Sequence, residues 1–148
     1  MQIVSRDPVI ILDAAHNPHG ARSLASTLAD LAQGHVVIAV LGVLADEDAA
    51  GIVNALSTAV DHFIITASHS DRAVPPAKLA NLVSEVVGKD RVTVAPDTSD
   101  ALTQARRQLE QASSRNDGLI VVTGSITLIG EALDILDPAA RLSTNDGS

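Results

Sequence analysis

The sequence contains no cysteine, tryptophan or tyrosine, and it has one phenylalanine in 148 residues. Without cysteine the chain has no disulfide scaffold, no thiolate metal site and no cysteine nucleophile, which is compatible with a cytoplasmic protein. The scarcity of aromatic side chains argues against binding of single-stranded nucleic acid, because such proteins usually stack bases on aromatic rings.

Positive charge and long apolar runs are scarce as well. Ten Lys and Arg residues stand against 18 Asp and Glu residues, so the net charge is −8. This charge disfavours binding of a phosphate backbone over a broad surface, although a helix N-terminus and a few side chains could still hold one nucleotide. The longest apolar run, residues 36–45, is too short to span a bilayer, and no signal-peptide pattern precedes it. We therefore expect neither a nucleic acid nor a membrane as a partner.

The chain is rich in aliphatic residues, in patterns that alternate between strand and helix spacing. The predicted strands cover residues 2–5, 9–12, 35–43, 62–67, 92–95 and 118–123. Apolar faces at helical spacing predict helices within residues 21–32, 52–60, 79–87, 102–112 and 129–136. Single helices between strands predict an α/β, Rossmann-like three-layer domain with about six mostly parallel strands and helices on both faces. We expect this domain to cover residues 1–142, with a disordered polar tail at 143–148.

In such folds ligands bind where the strands end, and the first strand-to-helix corner, residues 13–20, reads DAAHNPHG. The Asp13 carboxylate suits two ribose hydroxyls, and His16 can donate to a phosphate or ribose oxygen. Asn17 and Pro18 suit a helix cap and a first turn. Capping alone would explain Asn17, but it needs neither Asp13 nor His16, so a binding role is favoured.

Three further corners carry polar side chains. The acids after the third predicted strand, Asp46 to Asp48, fit a charged helix cap better than direct catalysis. The loop after the fourth strand offers His69 and Arg72 as cationic contacts for a substrate, although the sequence favours a solvated loop over a binding loop. Ser125 either caps the last helix or helps bind an anion, without the lysine and spacing of a P-loop. The five histidines show no metal-ligand spacing, so we predict no metal site.

Three segments resemble one family. Residues 13–18 resemble the D-x-A-H-N-P signature of the carboxy-terminal domain of folylpolyglutamate synthase and bifunctional dihydrofolate synthase, relatives of the Mur peptide ligases. LGVLADEDA at 41–49 is similar to the family's G-x-L-x-D-K-D loop, and VTGSITLIGE at 122–131 is similar to its V-T-G-S-L-Y-L-I-G-E block. Order and spacing agree, so the resemblance extends over nearly the whole chain.

The resemblance implies an ATP-dependent amide ligase. In that family ATP phosphorylates a folate or pteroate carboxylate, and the amino group of L-glutamate attacks the acyl phosphate. An amino-terminal domain of the same polypeptide carries the P-loop, the Mg²⁺ ligands and the main folate site, and the carboxy-terminal domain closes over ATP. The resemblance places Asp13, His16 and Asn17 at ATP and places His16 and Ser125 on the glutamate side. Asp46 and Arg72 are additional candidates.

The sequence departs from the family at three points. It has no P-loop and no residue in the place of the family's nucleotide-contacting arginine, from which we expect a domain that lacks its ATPase partner and is inactive alone. The lysine of the D-K-D loop is Glu47 here, and the tyrosine of the last block is Thr127. Two alternatives stay open: the carboxy-terminal domain of a Mur peptide ligase, and a free-standing Rossmann-like nucleotide-binding module.

Overall fold

The computed structural model describes residues 1–112 and 117–137. The predicted tail at 143–148 and Pro138, which we expected to end the last helix, lie outside the described residues. Within them the strands are β1 (Gln2–Arg6), β2 (Val9–Asp13), β3 (Val37–Gly42), β4 (His62–Ile65), β5 (Val92–Val94) and β6 (Leu119–Gly124). The helices are α1 (Pro18–Ala32), α2 (Ala49–Leu56), α3 (Pro76–Val87), α4 (Thr98–Ala112) and α5 (Ile126–Leu136), with a short 3₁₀ helix at Lys89–Arg91.

The six strands form one sheet in the order β1-β2-β6-β3-β4-β5. β1 pairs antiparallel with β2, and the other neighbours pair in parallel. β3 and β6 are buried along their full length, as expected for strands covered on both faces. The predicted α/β fold with about six mostly parallel strands is confirmed.

Helices cover the two faces of the sheet unequally. The buried side chains of α1, α2 and α3 pack on one face, in a layer that includes the fully buried Phe63. Those of α4 and α5 pack on the other face, against alternate residues of the same strands. The crossovers from β2 through β5 therefore run along the first face, and the chain returns over the second face to place β6 between β2 and β3.

The return to the centre of the sheet positions the site. β6 leads into α5 on one face, whereas its neighbours β2 and β3 lead into α1 and α2 on the other. Helices that leave adjacent strand ends on opposite faces open a crevice at that edge. The corners that follow β2, β3 and β6 meet at this crevice.

Candidate functional site

The corner after β2 begins α1 with a built cap. Asn17 has an extended backbone, and its Oδ1 accepts the Gly20 N–H at 2.8 Å, with Pro18 as the first helical residue. The Nδ1 of His16 lies 3.0 Å from the carbonyl oxygen of Ala14. Because a carbonyl only accepts, Nδ1 carries the hydrogen, and Nε2 of the exposed ring is the nitrogen that a ligand can reach.

Asp13 stands at the last position of β2, as the sequence predicts. Its side chain is 25% exposed, and Oδ2 lies 3.8 Å from the amino group of Met1. Its backbone carbonyl accepts the Ala15 N–H at 2.9 Å, which turns the chain toward His16. The carboxylate is thus at the carboxyl edge of the sheet, beside Thr123 of β6.

The corner after β3 uses its acids mainly to organise its own backbone. Glu47 Oε1 accepts the Leu44 N–H at 2.6 Å, and the Glu47 N–H donates to the Leu44 carbonyl at 3.0 Å. Asp48 caps α2 by accepting the Gly51 N–H at 3.0 Å. The expectation of an acidic helix cap is therefore confirmed for Asp48.

Burial raises the pKa of Glu47 above its usual value, because desolvation disfavours the carboxylate form. The Leu44 N–H and the nearby His16 and Arg72 partly oppose this shift by favouring the charged form, and Asp46 adds to it. Glu47 lines the same cavity as His16, in the place where the resembling family has a lysine.

The loop after β4, residues 66–75, reaches back to the β3 corner. The carbonyl of Arg72 accepts the Ala45 N–H at 2.8 Å, and the Val74 N–H donates to Val43 at 3.0 Å. The Arg72 guanidinium lies 3.5 Å from the Asp46 carboxylate, with both side chains about two-thirds exposed. Such an exposed pair contributes little to stability, so a ligand anion can displace Asp46 at small cost.

The corner after β6 is tightly folded. Gly124 has φ +115°, and the Ser125 N–H donates to the Gly42 carbonyl at 3.0 Å. Ser125 is 2% exposed and caps α5, where its Oγ accepts the Leu128 N–H at 3.1 Å. Its Oγ is also 3.0 Å from Oγ1 of Thr127, so Ser125 supports the residue that lines the crevice.

These corners enclose an open cavity of about 550 Å³. It brings together four predicted residues (His16, Asn17, Asp46 and Arg72) with Leu44, Glu47, Asp48, Ile126 and Thr127. Asp13 and Ser125 are not among the lining residues. The sequence did not point to Leu44 or Ile126, because an aliphatic residue beside a helix cap carries no chemical signal. In the structure Ile126 is 68% exposed at the start of α5.

The cavity combines basic and acidic side chains, with Arg72 and the imidazole of His16 near the acids Asp46, Glu47 and Asp48. The N-terminus of α1, with its partial positive charge, lies in its wall. The arrangement suits a ligand that has both anionic and cationic groups. Within residues 1–112 and 117–137, no three His, Asp or Glu side chains converge as metal ligands, and no helix is long and apolar enough to cross a membrane.

The sheet order and the strand-end cavity define an α/β domain of Rossmann-like architecture. The family model for the Mur ligase glutamate ligase domain matches residues 1–126, and the chain belongs to this family. The family assignment drawn from the three sequence motifs is thereby confirmed.

Individual relatives agree with the family. The chain is 37% identical over 133 residues to a dihydrofolate synthase/folylpolyglutamate synthase of Mycobacterium tuberculosis, a match that covers 84% of this chain and 27% of that protein. It is also similar to a crystal structure of M. tuberculosis folylpolyglutamate synthase complexed with ADP and AMPPCP (TM-score 0.85, 34% identity, 92% of this chain, 31% of the other). A second similar structure is a bifunctional folylpolyglutamate synthase/dihydrofolate synthase with Mn, AMPPNP and L-glutamate bound (TM-score 0.73, 32% identity, 91% of this chain, 30% of the other). The chain thus spans less than a third of the length of these relatives.

Proposed function

We propose that the chain acts as the glutamate ligase domain of an ATP-dependent folylpolyglutamate synthase or dihydrofolate synthase. The observation that carries this proposal is the strand-end cavity, where the His16 corner faces both acids and Arg72. The similar proteins support it by their names and by the nucleotides bound in their structures. The seven matching relatives all carry folylpolyglutamate synthase names, which favours this function over a Mur peptide ligase.

In the proposed reaction the γ-phosphoryl group of ATP passes to the carboxylate of dihydropteroate or a folate. The amino group of L-glutamate then attacks the acyl phosphate and releases inorganic phosphate. Such reactions depend mainly on positioning and on stabilisation of charge. The domain supplies one wall of the site, and the phosphate-binding wall belongs to an amino-terminal P-loop domain of the same polypeptide.

Each site residue has a proposed task. Asp13 accepts hydrogen bonds from the ribose hydroxyls of ATP. Nδ1 of His16 is occupied by the Ala14 carbonyl, so Nε2 is the contact atom: it accepts from the amino group of the incoming glutamate when the ring is neutral and donates to a phosphate when the ring is protonated. Asn17 holds the start of α1 toward the nucleotide, and Ser125 orders the glutamate side through Thr127.

Arg72 and Glu47 suit the zwitterionic amino acid. The guanidinium of Arg72 would bind a glutamate carboxylate in place of Asp46, from which it is 3.5 Å away. The free oxygen of Glu47 would face the ammonium group. Mg²⁺ would neutralise charge on the phosphates of ATP, and we assign its protein ligands to the amino-terminal domain, as the family resemblance implies; among the described residues of this chain no three His, Asp or Glu side chains converge. We place the whole enzyme in the cytoplasm, with no nucleic acid or membrane as a partner.

A chimera tests the proposal. The segment of the M. tuberculosis relative that aligns over 133 residues is replaced by the equivalent part of this chain, and glutamate-dependent ADP release is measured with dihydropteroate and with tetrahydrofolate. We expect turnover with at least one acceptor. His16→Ala should lower kcat/KM by about 100-fold or more, whereas its exposed neighbour in α1 provides the matched control, His19→Ala, with little effect.

Measurements on the purified chain alone distinguish the ligase domain from the remaining alternative, a free-standing nucleotide-binding module. We expect it to show no ligase turnover and only weak binding of AMPPNP in a calorimetric titration. A folded chimera without turnover would contradict the ligase function. Tight binding of AMPPNP by the chain alone would instead favour a free-standing nucleotide-binding module.

A further inference from the structure

Glu131, in the middle of α5, joins three elements that are distant in sequence. Its Oε2 accepts the backbone N–H of His69, in the loop after β4, at 2.6 Å. Its Oε1 accepts the hydroxyl of Thr98, the first residue of α4, at 2.8 Å. The imidazole Nδ1 of His69 lies 3.2 Å from the same Oε1. One carboxylate therefore connects α5, the start of α4 and the 66–75 loop.

The three contacts of Glu131 differ in burial and hence in strength. Thr98 is 2% exposed, so water does not readily replace the hydrogen bond that its hydroxyl makes. The imidazole of His69 is 83% exposed, so its contact with the carboxylate is screened. The backbone N–H of His69 donates to Oε2 of Glu131 over a short 2.6 Å, and the Glu131 side chain is only 24% exposed, so this hydrogen bond is a strong tether for the loop.

A second contact supports the same attachment. Ser68, adjacent to His69, lies 2.8 Å from Thr127 of α5 through the two hydroxyl oxygens. The far end of the loop is held separately, by the Ala45–Arg72 and Val43–Val74 backbone bonds. Arg72 thus sits on a short segment that is fixed to α5 on one side and to the β3 corner on the other.

We propose that Glu131 is a positioning residue: it holds the start of the 66–75 loop against α5 and thereby keeps Arg72 at the cavity. The role of Arg72 in glutamate binding rests on the proposed function. The location of Arg72 at the cavity does not rest on it, and this location can be measured in the chain without any ligand.

The absence of cysteine in the chain permits a direct measurement. Spin labels are attached to cysteines introduced at Asp71, beside Arg72, and at Asp30 on the exposed side of α1. Pulsed dipolar spectroscopy of the full 148-residue chain should give one narrow distance distribution. Glu131→Ala should broaden it, because alanine keeps the helix but removes the acceptor for His69. Glu131→Gln, which retains an oxygen acceptor and a polar partner for Thr98, should restore most of the narrow distribution.

The exposed Glu110 of α4 supplies the matched control, Glu110→Ala, which should leave the distribution unchanged. An unchanged distribution in a folded Glu131→Ala chain would overturn the proposal, and so would equal broadening in both alanine variants. If Glu131→Ala does not fold, amide exchange in the unsubstituted chain decides instead. The His69 N–H should exchange at least about tenfold more slowly than its intrinsic rate, and exchange at the intrinsic rate would refute the tether. Because these measurements require no nucleotide or turnover, their failure is distinct from failure of the ligase function.

Discussion

At the residue scale, Gly124 combines a left-handed backbone conformation with a close backbone neighbour, so only glycine fits there without strain. Its φ of +115° lies in the region that favours glycine, and a Cβ there would meet the Gly42 carbonyl oxygen. We predict that Gly124→Ala lowers the free energy of unfolding by about 2 kcal/mol or more, measured by urea denaturation. Gly130 in α5 is the control, because its Cβ would meet nothing within 4 Å. Gly130→Ala should be neutral or stabilising by up to about 1 kcal/mol, and equal losses in both variants would contradict this explanation.

Glu47 makes a pH-dependent contribution to stability. Since its folded-state pKa is raised by burial, the unfolded chain loses this proton at lower pH than the folded chain does. The charged form therefore destabilises the fold as pH rises through the folded pKa, and the penalty disappears below the usual glutamate pKa of 4.5. Glu47→Gln, which can still accept the Leu44 N–H, should have a higher Tm than the unsubstituted chain at pH 7.

The difference in Tm between the Gln variant and the unsubstituted chain should shrink as pH is lowered through the carboxyl range. Calorimetric scans of both proteins between about pH 4 and pH 7 measure this difference in Tm. A difference that stays constant with pH would show that the effect comes from packing of the amide, not from titration of Glu47.

At the element scale, Arg91 holds the segment that follows α2, although it lies about 30 positions further along the sequence. Its guanidinium donates to the carbonyls of Ser57 (2.8 Å), Val60 and Asp61 (3.3 Å), which all lie between α2 and β4. Lysine cannot reproduce this fork of donors. We expect Arg91→Lys to lower the free energy of unfolding by about 1–3 kcal/mol, read from denaturant midpoints. Arg106→Lys, on the exposed side of α4, should have almost no effect, and a similar loss there would argue against carbonyl binding by Arg91.

The sequence predicts those element boundaries that local chemistry marks. Asn17 and Pro18 begin α1 as expected, and Ser125 caps α5. The helix predicted within 52–60 was wrong at its end: apolar spacing continues to Val60, but α2 stops at Leu56. Val60 is buried as the pattern suggests, yet its carbonyl bonds to Arg91, a contact that no local window contains.

The candidate site divides in the same way. His16 and Asn17 could be placed from the sequence, because one strand-end corner contains them. The presence of Arg72 in the same cavity depends on two backbone hydrogen bonds between the β3 corner and the loop after β4, Ala45–Arg72 and Val43–Val74. Their partners are 27 or more positions apart in the sequence, so no local pattern reveals them. The contacts of Glu131 also join elements far apart in sequence, and a lone glutamate within a helical pattern is usually a solvated residue. Site residues within one strand-end corner are therefore predictable from the sequence here, whereas the hydrogen bonds that attach the 66–75 loop to other elements are not.

At the scale of the whole molecule, the two apolar layers share one set of strands. Leu28 of α1 and Leu109 of α4 are both fully buried, on opposite faces. We predict that Leu28→Ala and Leu109→Ala each cost about 2–5 kcal/mol, measured by urea denaturation. Each should leave a single transition, with the amides of β6 losing protection in both variants, because β6 contributes side chains to both layers.

Leu31 provides a comparison on α1, since it is 45% exposed, and Leu31→Ala should change stability by about 0.5 kcal/mol or less. If Leu109→Ala produced two transitions while Leu28→Ala produced one, the layer under α4 and α5 would be an independent unit, contrary to this prediction.

The position of β6 also shapes how the chain is made. It is the last strand of the described residues, yet it pairs with both β2 and β3, which are synthesised far earlier. Until the ribosome releases β6, these two apolar strands lack the neighbour that separates them, and their inner edges are exposed. Nascent chains with unpaired apolar edges are prone to wrong pairing and aggregation. The sheet of the described residues is therefore completed only after β6 has been translated, and until then β2 and β3 are open to pairing with the wrong strand.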